Sequence, residues 1–249
     1  MSSDTIIAHS LNSAAKLRLF CFPYAGSDGH IYNKWRHELS SVVDVIPIHL
    51  PGRGARLNID PYTCINAVTT DVCSAIAPLL DRDYAVFGYS MGAILAYEVI
   101  HYLRQMQCVS PKAFFAAACA APKLMDARVK VSHLSDKGLV QYFAKLGGIP
   151  REALENQELM SLVVPALRSD AKVMESFNYV ERPYLDVPIH VYGGSNDQGV
   201  TADDQYLWRE ETKAPIVRKE FPGGHFFLQK QHQALTSEVR EQLQILLGT

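Results

Sequence analysis

The chain has 249 residues, of which 48% are hydrophobic, and its formal net charge at pH 7 is −2. A chain of this length and composition can bury one sizeable core, so we expect a single α/β domain spanning residues 1–249 rather than a disordered protein. The small net charge argues against electrostatic binding of nucleic acid. Because no apolar run is long enough to cross a bilayer and the first residues lack a signal-peptide pattern, we expect a cytoplasmic protein without a membrane partner.

The five cysteines give no sign of a disulfide framework or a metal site, because they are odd in number and never spaced as C-x-x-C. We expect reduced core residues. The chain also lacks a glycine-rich phosphate loop followed by Lys and Ser or Thr, so nothing indicates a nucleotide site. The sequence therefore predicts no cofactor and no metal. The cysteines are Cys21, Cys64, Cys73, Cys108 and Cys119.

Short apolar runs rich in Val, Ile, Phe and Tyr alternate along the chain with stretches of helical periodicity. Such alternation predicts a mostly parallel sheet covered by helices on both faces. The predicted strands are 17–22, 43–50, 84–89, 112–120, 188–194 and 216–221, and the predicted helices are 31–40, 63–80, 91–107, 201–212 and 230–247.

Residues 123–184 interrupt this alternation, because they contain helical patterns and no predicted strand. An insertion between parallel strands lies above their carboxyl ends, where ligands bind in such sheets. We therefore expect a mobile helical lid, although a purely structural helical annex would have the same pattern. The lid residues expected to border an acyl pocket are Leu139, Tyr142, Phe143, Leu146, Leu162 and Val163.

The stretch VFGYSMGAI at 86–94 places Ser90 between Gly88 and Gly92, where a predicted strand meets a predicted helix. This is the pattern of a nucleophile elbow, whose tight turn exposes the serine hydroxyl. A positive φ at Ser90 and close packing at both glycines would explain the pattern. A match of five residues also arises by chance, so the rest of the chain must supply a base and an acid.

Two later loops supply them in the order that the α/β-hydrolase arrangement requires, which is Ser, then Asp or Glu, then His. Asp197 follows the strand 188–194, and His225 follows the strand 216–221. Asp186 precedes its strand and Asp203 falls in a predicted helix. The remaining candidate histidines lie at unsuitable places and are interpreted as surface or core residues: His30, His37, His133, His190 and His232.

An acyl-transfer site also needs two donors for the oxyanion of the tetrahedral intermediate. In this arrangement they are the backbone N–H of the residue after the nucleophile and one from the loop after the first strand. Met91 is the first candidate. In the segment FPYAGS we choose Ala25 as the second, with Tyr24 as the alternative.

The motifs taken together resemble those of the type II thioesterases that accompany nonribosomal peptide and polyketide synthases. The resemblance extends from about residue 17 to residue 247, and the related medium-chain thioesterases that act on acyl carrier proteins are similar too. It is carried by LFCFPYAGS, LPGRGAR, FGYSMGAILAYE, GGSND, Trp208 and FPGGHFFL.

The resemblance implies the α/β-hydrolase fold and hydrolysis of acyl or aminoacyl thioesters on the phosphopantetheine arm of a carrier protein, by a monomer that clears stalled or misprimed synthase modules. Arg53 and Arg56 could then meet the carrier's acidic surface or its phosphate, although both could equally be plain surface charges.

Two residues depart from the family pattern. Tyr89 replaces a frequent histidine, which we expect to affect packing rather than chemistry, and Ser27 replaces a glycine beside the oxyanion loop.

Two other interpretations remain open on the sequence. A small-molecule esterase, lipase or acyltransferase would use the same three residues, and a comparison of matched thioesters and oxygen esters separates these activities. A non-catalytic receptor or scaffold of the same fold would leave Ser90 unreactive towards a fluorophosphonate.

Overall fold

Six parallel strands form the centre of the structure, a computed structural model that describes residues 11–12, 14–149 and 154–248. The strand order across the sheet is β2-β1-β3-β4-β5-β6. The first strand therefore lies inside the sheet, with β2 on one side of it and the later strands on the other. The strands are β1 (Leu17–Phe22), β2 (Asp44–Pro47), β3 (Asp83–Tyr89), β4 (Phe114–Ala117), β5 (Ile189–Gly194) and β6 (Ile216–Phe221).

Eight α-helices of at least four residues surround the sheet in the described part of the chain. Short 3-10 turns, such as Gly29–Tyr32 and Leu207–Glu210, extend several of them. The helices are α1 (Asn33–Glu38), α2 (Ile65–Ile76), α3 (Met91–Gln105), α4 (Asp136–Lys145), α5 (Gln157–Glu175), α6 (Ala202–Tyr206), α7 (Phe227–Lys230) and α8 (His232–Leu247).

Two large hydrophobic clusters lie on opposite faces of the sheet, as the predicted alternation requires. One contains the apolar sides of α2 and α3, together with Trp208. The other contains Trp35 of α1 and the stripe Leu235, Val239 and Leu243 of α8. The prediction of a mostly parallel sheet with helices on both faces is confirmed.

Two strands are shorter than the sequence predicts. Within the run 112–120, residues 113–120 are all buried, but strand β4 ends at Ala117 because Ala118 has a φ of +50° and leaves the extended conformation. The run 43–50 pairs with β1 only as far as Pro47, although Ile48, His49 and Leu50 remain buried. In both segments the length of the apolar run therefore indicates how many residues are buried, but it does not indicate how long the strand is.

The described residues of 123–184 contain α4 and α5 and no strand, as predicted. These two helices share a small hydrophobic cluster of their own, which includes Leu139 and Val164. The second half of α5 is also tied to the body, since the hydroxyl of Ser169 donates a hydrogen bond to the carbonyl of Tyr62. The inserted segment is thus a helical pair attached to the sheet mainly through α5.

The prediction that the cysteines are core residues is confirmed for three of the five. All five cysteines are free thiols. Cys21, Cys73 and Cys119 are buried, whereas Cys64 is exposed immediately before α2. Among the residues described, no helix has the length and apolar character needed to cross a membrane.

Candidate active site

Ser90 lies at the sharp turn between β3 and α3, with a φ of +52°. A Cβ added at Gly88 would lie 2.3 Å from the carbonyl oxygen of Gly92, and one added at Gly92 would lie 2.3 Å from the carbonyl oxygen of Phe22. Because a real side chain cannot approach backbone so closely, only glycine fits at either position. The turn is further held by the backbone N–H of Ser90, which donates to the carbonyl of Ala117 at 2.8 Å.

The structure brings the three predicted side chains into one hydrogen-bonded line. Nε2 of His225 lies 2.9 Å from Oγ of Ser90, and Nδ1 of the same ring lies 2.8 Å from Oδ2 of Asp197. The other carboxylate oxygen of Asp197 accepts hydrogen bonds from the backbone N–H groups of Gly199 and Val200. A buried carboxylate that is fixed in this way orients the imidazole and stabilises its protonated form.

Tyr89 holds the loop that carries His225, a contact that the sequence analysis missed. Its hydroxyl donates to the backbone carbonyl of His225 at 2.5 Å and accepts a hydrogen bond from the N–H of Leu228. Burial raises the pKa of Tyr89 well above its ordinary value, so the hydroxyl stays protonated and able to donate. Besides the packing that the sequence analysis expects, this residue thus also holds the backbone of the histidine.

The two candidate oxyanion donors lie on the same cavity as Ser90 and His225. Ala25 and Met91 both line it, whereas Tyr24 does not. Within the described ranges, neither the N–H of Ala25 nor that of Met91 donates to a protein acceptor. The neighbouring N–H of Gly26 is already bonded to Oδ2 of Asp170 at 2.7 Å. This geometry favours Ala25 over Tyr24 and Gly26 in the loop after β1, and it leaves the N–H of Met91 available as the second donor.

Asp170, on α5, connects the inserted segment to the loop after β1. Its carboxylate makes two parallel contacts with the guanidinium of Arg53, at 2.5 and 2.6 Å, besides accepting from Gly26. Burial alone would lower the pKa of Arg53, but the charge and hydrogen bonds of Asp170, together with the charge of Asp28, outweigh burial and raise it. Leu167, one turn earlier on α5, packs so closely on Gly26 that an added Cβ there would lie 2.4 Å from it.

The proposed roles of the two arginines at a carrier surface are wrong. Both side chains are buried, and the second pairs with Asp71, as Arg53 pairs with Asp170. Neither guanidinium is available to a docking protein, nor is either a plain surface charge. The arginines of LPGRGAR have a structural role instead, because each forms an ion pair between this loop and a helix, Arg53 with α5 and Arg56 with α2.

A cavity of 220 Å³ opens beside Ser90 and His225 and is bounded by the inserted segment. Of the lid residues expected to border it, Tyr142, Phe143 and Leu146 do so. The other expectations are wrong: Leu139 and Val163 belong to the cluster between α4 and α5, and Leu162 faces solvent. The other lining side chains include apolar residues, among them Met125, Val131, Met174 and Phe177, and the charged residues Asp126, Arg128, Lys130, Asp170 and Glu175.

Comparisons with known proteins identify the family of this chain. The thioesterase domain family matches residues 17–243. The gramicidin S biosynthesis protein GrsT of Aneurinibacillus migulanus is 35% identical over 96% of this chain and 93% of its own length. The medium-chain S-acyl fatty acid synthase thioesterase of Homo sapiens is 27% identical over 87% of this chain and 83% of its own length.

The fold is shared with a solved structure as well. RedJ, a thioesterase from the prodiginine biosynthetic pathway of Streptomyces coelicolor, superposes with a TM-score of 0.87 at 34% identity, covering 92% of this chain and 91% of its own. The family match spans most of the chain and includes every strand of the sheet. The chain therefore belongs to the thioesterase domain family, and it is a thioester hydrolase of the α/β-hydrolase fold.

Proposed function

We propose that this protein is an editing thioesterase, which hydrolyses acyl or aminoacyl groups from the phosphopantetheine arm of carrier proteins in nonribosomal peptide or polyketide synthases. The observation that carries the proposal is the hydrogen-bonded line of Ser90, His225 and Asp197 at the end of a mainly apolar cavity. The similarity to GrsT and RedJ, which are named for gramicidin S biosynthesis and the prodiginine biosynthetic pathway, supports the choice of pathway.

In the first half-reaction, Oγ of Ser90 attacks the thioester carbonyl carbon while Nε2 of His225 takes the hydroxyl proton. The tetrahedral intermediate collapses, the carbon–sulfur bond breaks, and His225 returns the proton to the leaving thiol. Water then attacks the acyl carbon while His225 takes its proton, the bond between that carbon and Oγ of Ser90 breaks, His225 returns the proton to Oγ, and the free acid leaves. Asp197 keeps the imidazole in the required tautomer and does not itself take the proton.

The negative charge on the carbonyl oxygen is stabilised by the N–H groups of Met91 and Ala25. Met91 is the first residue of α3, so the positive end of the helix dipole adds to its effect. Donors fixed in advance at the place where charge develops are usually the largest single contribution in such sites. The loop that carries Ala25 is held in place by a hydrogen bond from the N–H of Gly26 to the carboxylate of Asp170.

Residues 123–184 act as a lid over the cavity in this proposal. Tyr142, Phe143 and Leu146 of α4 and the turn after it contact the acyl chain, while Arg128 and Lys130 lie at the cavity and can face the phosphate of the arm. Opening involves α4 more than α5, because α5 is bonded to the body through Ser169 and Asp170.

Replacement of the three residues tests the chemistry. Ser90→Ala should abolish turnover, and Asp197→Asn should lower kcat by about 10⁴-fold because the wrong tautomer faces the serine. Asp203→Asn is the matched control, since this exposed aspartate lies six positions further along the chain and should keep full activity. Substantial turnover by a folded Ser90→Ala protein would refute the nucleophile assignment.

The carrier preference needs a separate experiment. One acyl group is presented on a carrier protein, on coenzyme A and on a short thiol, and kcat/KM is measured for each. We expect a modest advantage for the carrier, because contacts remote from the thioester help to orient it. Equal efficiencies would mean that the arm and the acyl chain alone are recognised.

A second candidate function is a medium-chain thioesterase acting on acyl carrier proteins of fatty acid synthesis, which the similarity to the human enzyme favours. A panel of carriers with aminoacyl, short acyl and medium-chain acyl groups distinguishes the two functions. An editing enzyme should accept short and aminoacyl groups, whereas preference for medium chains alone would support the second function. Faster hydrolysis of matched oxygen esters than of thioesters would instead favour a small-molecule esterase.

A further inference from the structure

Three potential metal ligands converge outside the site described above. Asp28 and His30 lie in the segment after β1, and His49 lies just after β2. These two strands are neighbours in the parallel sheet, so their carboxyl ends meet at one edge. One ligand atom from each of the three side chains lies within 4.8 Å of the other two.

Both imidazole rings direct the same atom at the carboxylate. Nδ1 of His49 lies 2.9 Å from Oδ1 and 3.1 Å from Oδ2 of Asp28, and Nδ1 of His30 contacts Oδ2. Each neutral ring can place its proton on Nε2, which leaves a lone pair on Nδ1 for a cation. Two imidazole nitrogens and one carboxylate are a ligand set that suits divalent transition metals rather than Ca²⁺ or Mg²⁺.

The surrounding backbone holds two of the three ligands in place. His49 is buried, and Gly29 approaches its ring so closely that an added Cβ would lie 3.0 Å from Cε1. The carboxylate of Asp28 packs against Gly54, where an added Cβ would lie 2.3 Å from Oδ2. The side chain of His30 is 56% exposed, so the cluster has an open side through which an ion and its remaining water ligands can enter.

The local charge also favours a cation. Arg53 and Arg56 are positively charged neighbours that would oppose an ion, since Arg53 interacts with Asp28 and Arg56 donates a hydrogen bond to the backbone carbonyl of His49. Each guanidinium is paired with another carboxylate, Arg53 with Asp170 and Arg56 with Asp71, so the carboxylate of Asp28 is left for the cation.

We propose that Asp28, His30 and His49 form a binding site for one divalent transition-metal ion, with Zn²⁺ as the representative ion. Three protein ligands leave at least one position for water, as in open zinc sites. A bound ion would connect the segment after β1 to the segment after β2. Since Asp28 lies three residues after Ala25, the ion would stabilise the loop that carries a proposed oxyanion donor.

Calorimetric titration of untagged, chelator-treated protein with Zn²⁺ tests the site directly. We expect one equivalent to bind to the wild type, and His30→Ala to weaken binding at least tenfold. His37→Ala is the matched control, because this histidine is exposed on the neighbouring helix α1 and should leave the affinity unchanged. His30 is exposed, so its removal should not prevent folding.

Thermal unfolding provides a second measurement that is independent of catalysis. A ligand that binds only the folded chain raises Tm, so Zn²⁺ should raise the Tm of the wild type and of His37→Ala but not that of His30→Ala. Absence of saturable Zn²⁺ binding to the wild type would overturn the proposal, because the cluster would then be a hydrogen-bonded His–Asp–His group only. Equal affinity in His30→Ala would overturn it as well, since the ion would lie elsewhere.

Discussion

Asp170 binds Arg53 and the Gly26 N–H, and its replacement tests two separate effects of these contacts. One is on the stability of the protein, and the other is on catalysis. The side chains of Asp170 and Arg53 are only 3% and 9% exposed. Removing one partner of a buried ion pair leaves the other charge uncompensated, which costs about 3–5 kcal/mol. Asp170→Ala should therefore lower the free energy of unfolding by that amount, as measured by urea denaturation.

The double variant Arg53→Met/Asp170→Leu removes both charges and fills the space with apolar atoms. Replacement of a whole buried ion pair by apolar residues is often neutral for stability. The free energy of unfolding should therefore fall by only about 1–3 kcal/mol, because the Gly26 N–H has lost its acceptor. The loop that carries Ala25 nevertheless loses its bond to α5. We expect kcat on a thioester to stay about 10- to 100-fold below wild type, because small displacements of catalytic groups have effects of this size.

Asp136→Ala is the matched control on the same helical pair. It breaks the ion pair with Arg168, but the Asp136 side chain is 76% exposed, so the loss should be about 0–1 kcal/mol with no change in kcat. Two results would refute the reasoning. One is an Asp170→Ala protein no less stable than Asp136→Ala, and the other is a folded double variant with the kcat of the wild type.

Three further predictions follow from single contacts. Tyr89→Phe should lower kcat about tenfold with little loss of Tm, because it frees the His225 backbone carbonyl; unchanged kcat in steady-state assays would contradict a positioning role. Gly92→Ala should cost about 3 kcal/mol or prevent folding, since its Cβ would meet the carbonyl of Phe22, and a stable variant in urea denaturation would disprove the steric argument. Phe143→Ala should shift acyl preference towards longer chains, whereas the exposed Leu162→Ala should lower neither selectivity nor stability; identical chain-length profiles for both variants would remove Phe143 from the acyl pocket.

Much of the candidate site was predictable because it depends on local chain geometry. A serine between two glycines at the junction of a strand and a helix indicates a tight turn whatever surrounds it. The loops of Asp197 and His225 each follow a predicted strand, and parallel strands bring their carboxyl ends to one edge. The hydrogen bonds between these side chains need only that arrangement.

The lid shows where periodicity stops being informative. Helical spacing correctly marks one apolar face of α4, but it does not say which neighbour covers which residue. Leu139 packs on α5, Phe143 lines the cavity, and Leu162 of α5 faces solvent. The difference depends on how the two helices are set against each other and against the sheet.

The sequence by itself determined the fold class, the elbow and the order of the three site residues, because each follows from patterns over a few neighbouring positions. Only the tertiary structure decided the partners of charged and polar side chains. Arg53 and Asp170 are 117 residues apart in the chain, and Tyr89 and His225 are 136 apart. A residue's type sets what it can bind, but burial and pairing depend on contacts between distant segments, which exist only once the sheet and the inserted helices have packed.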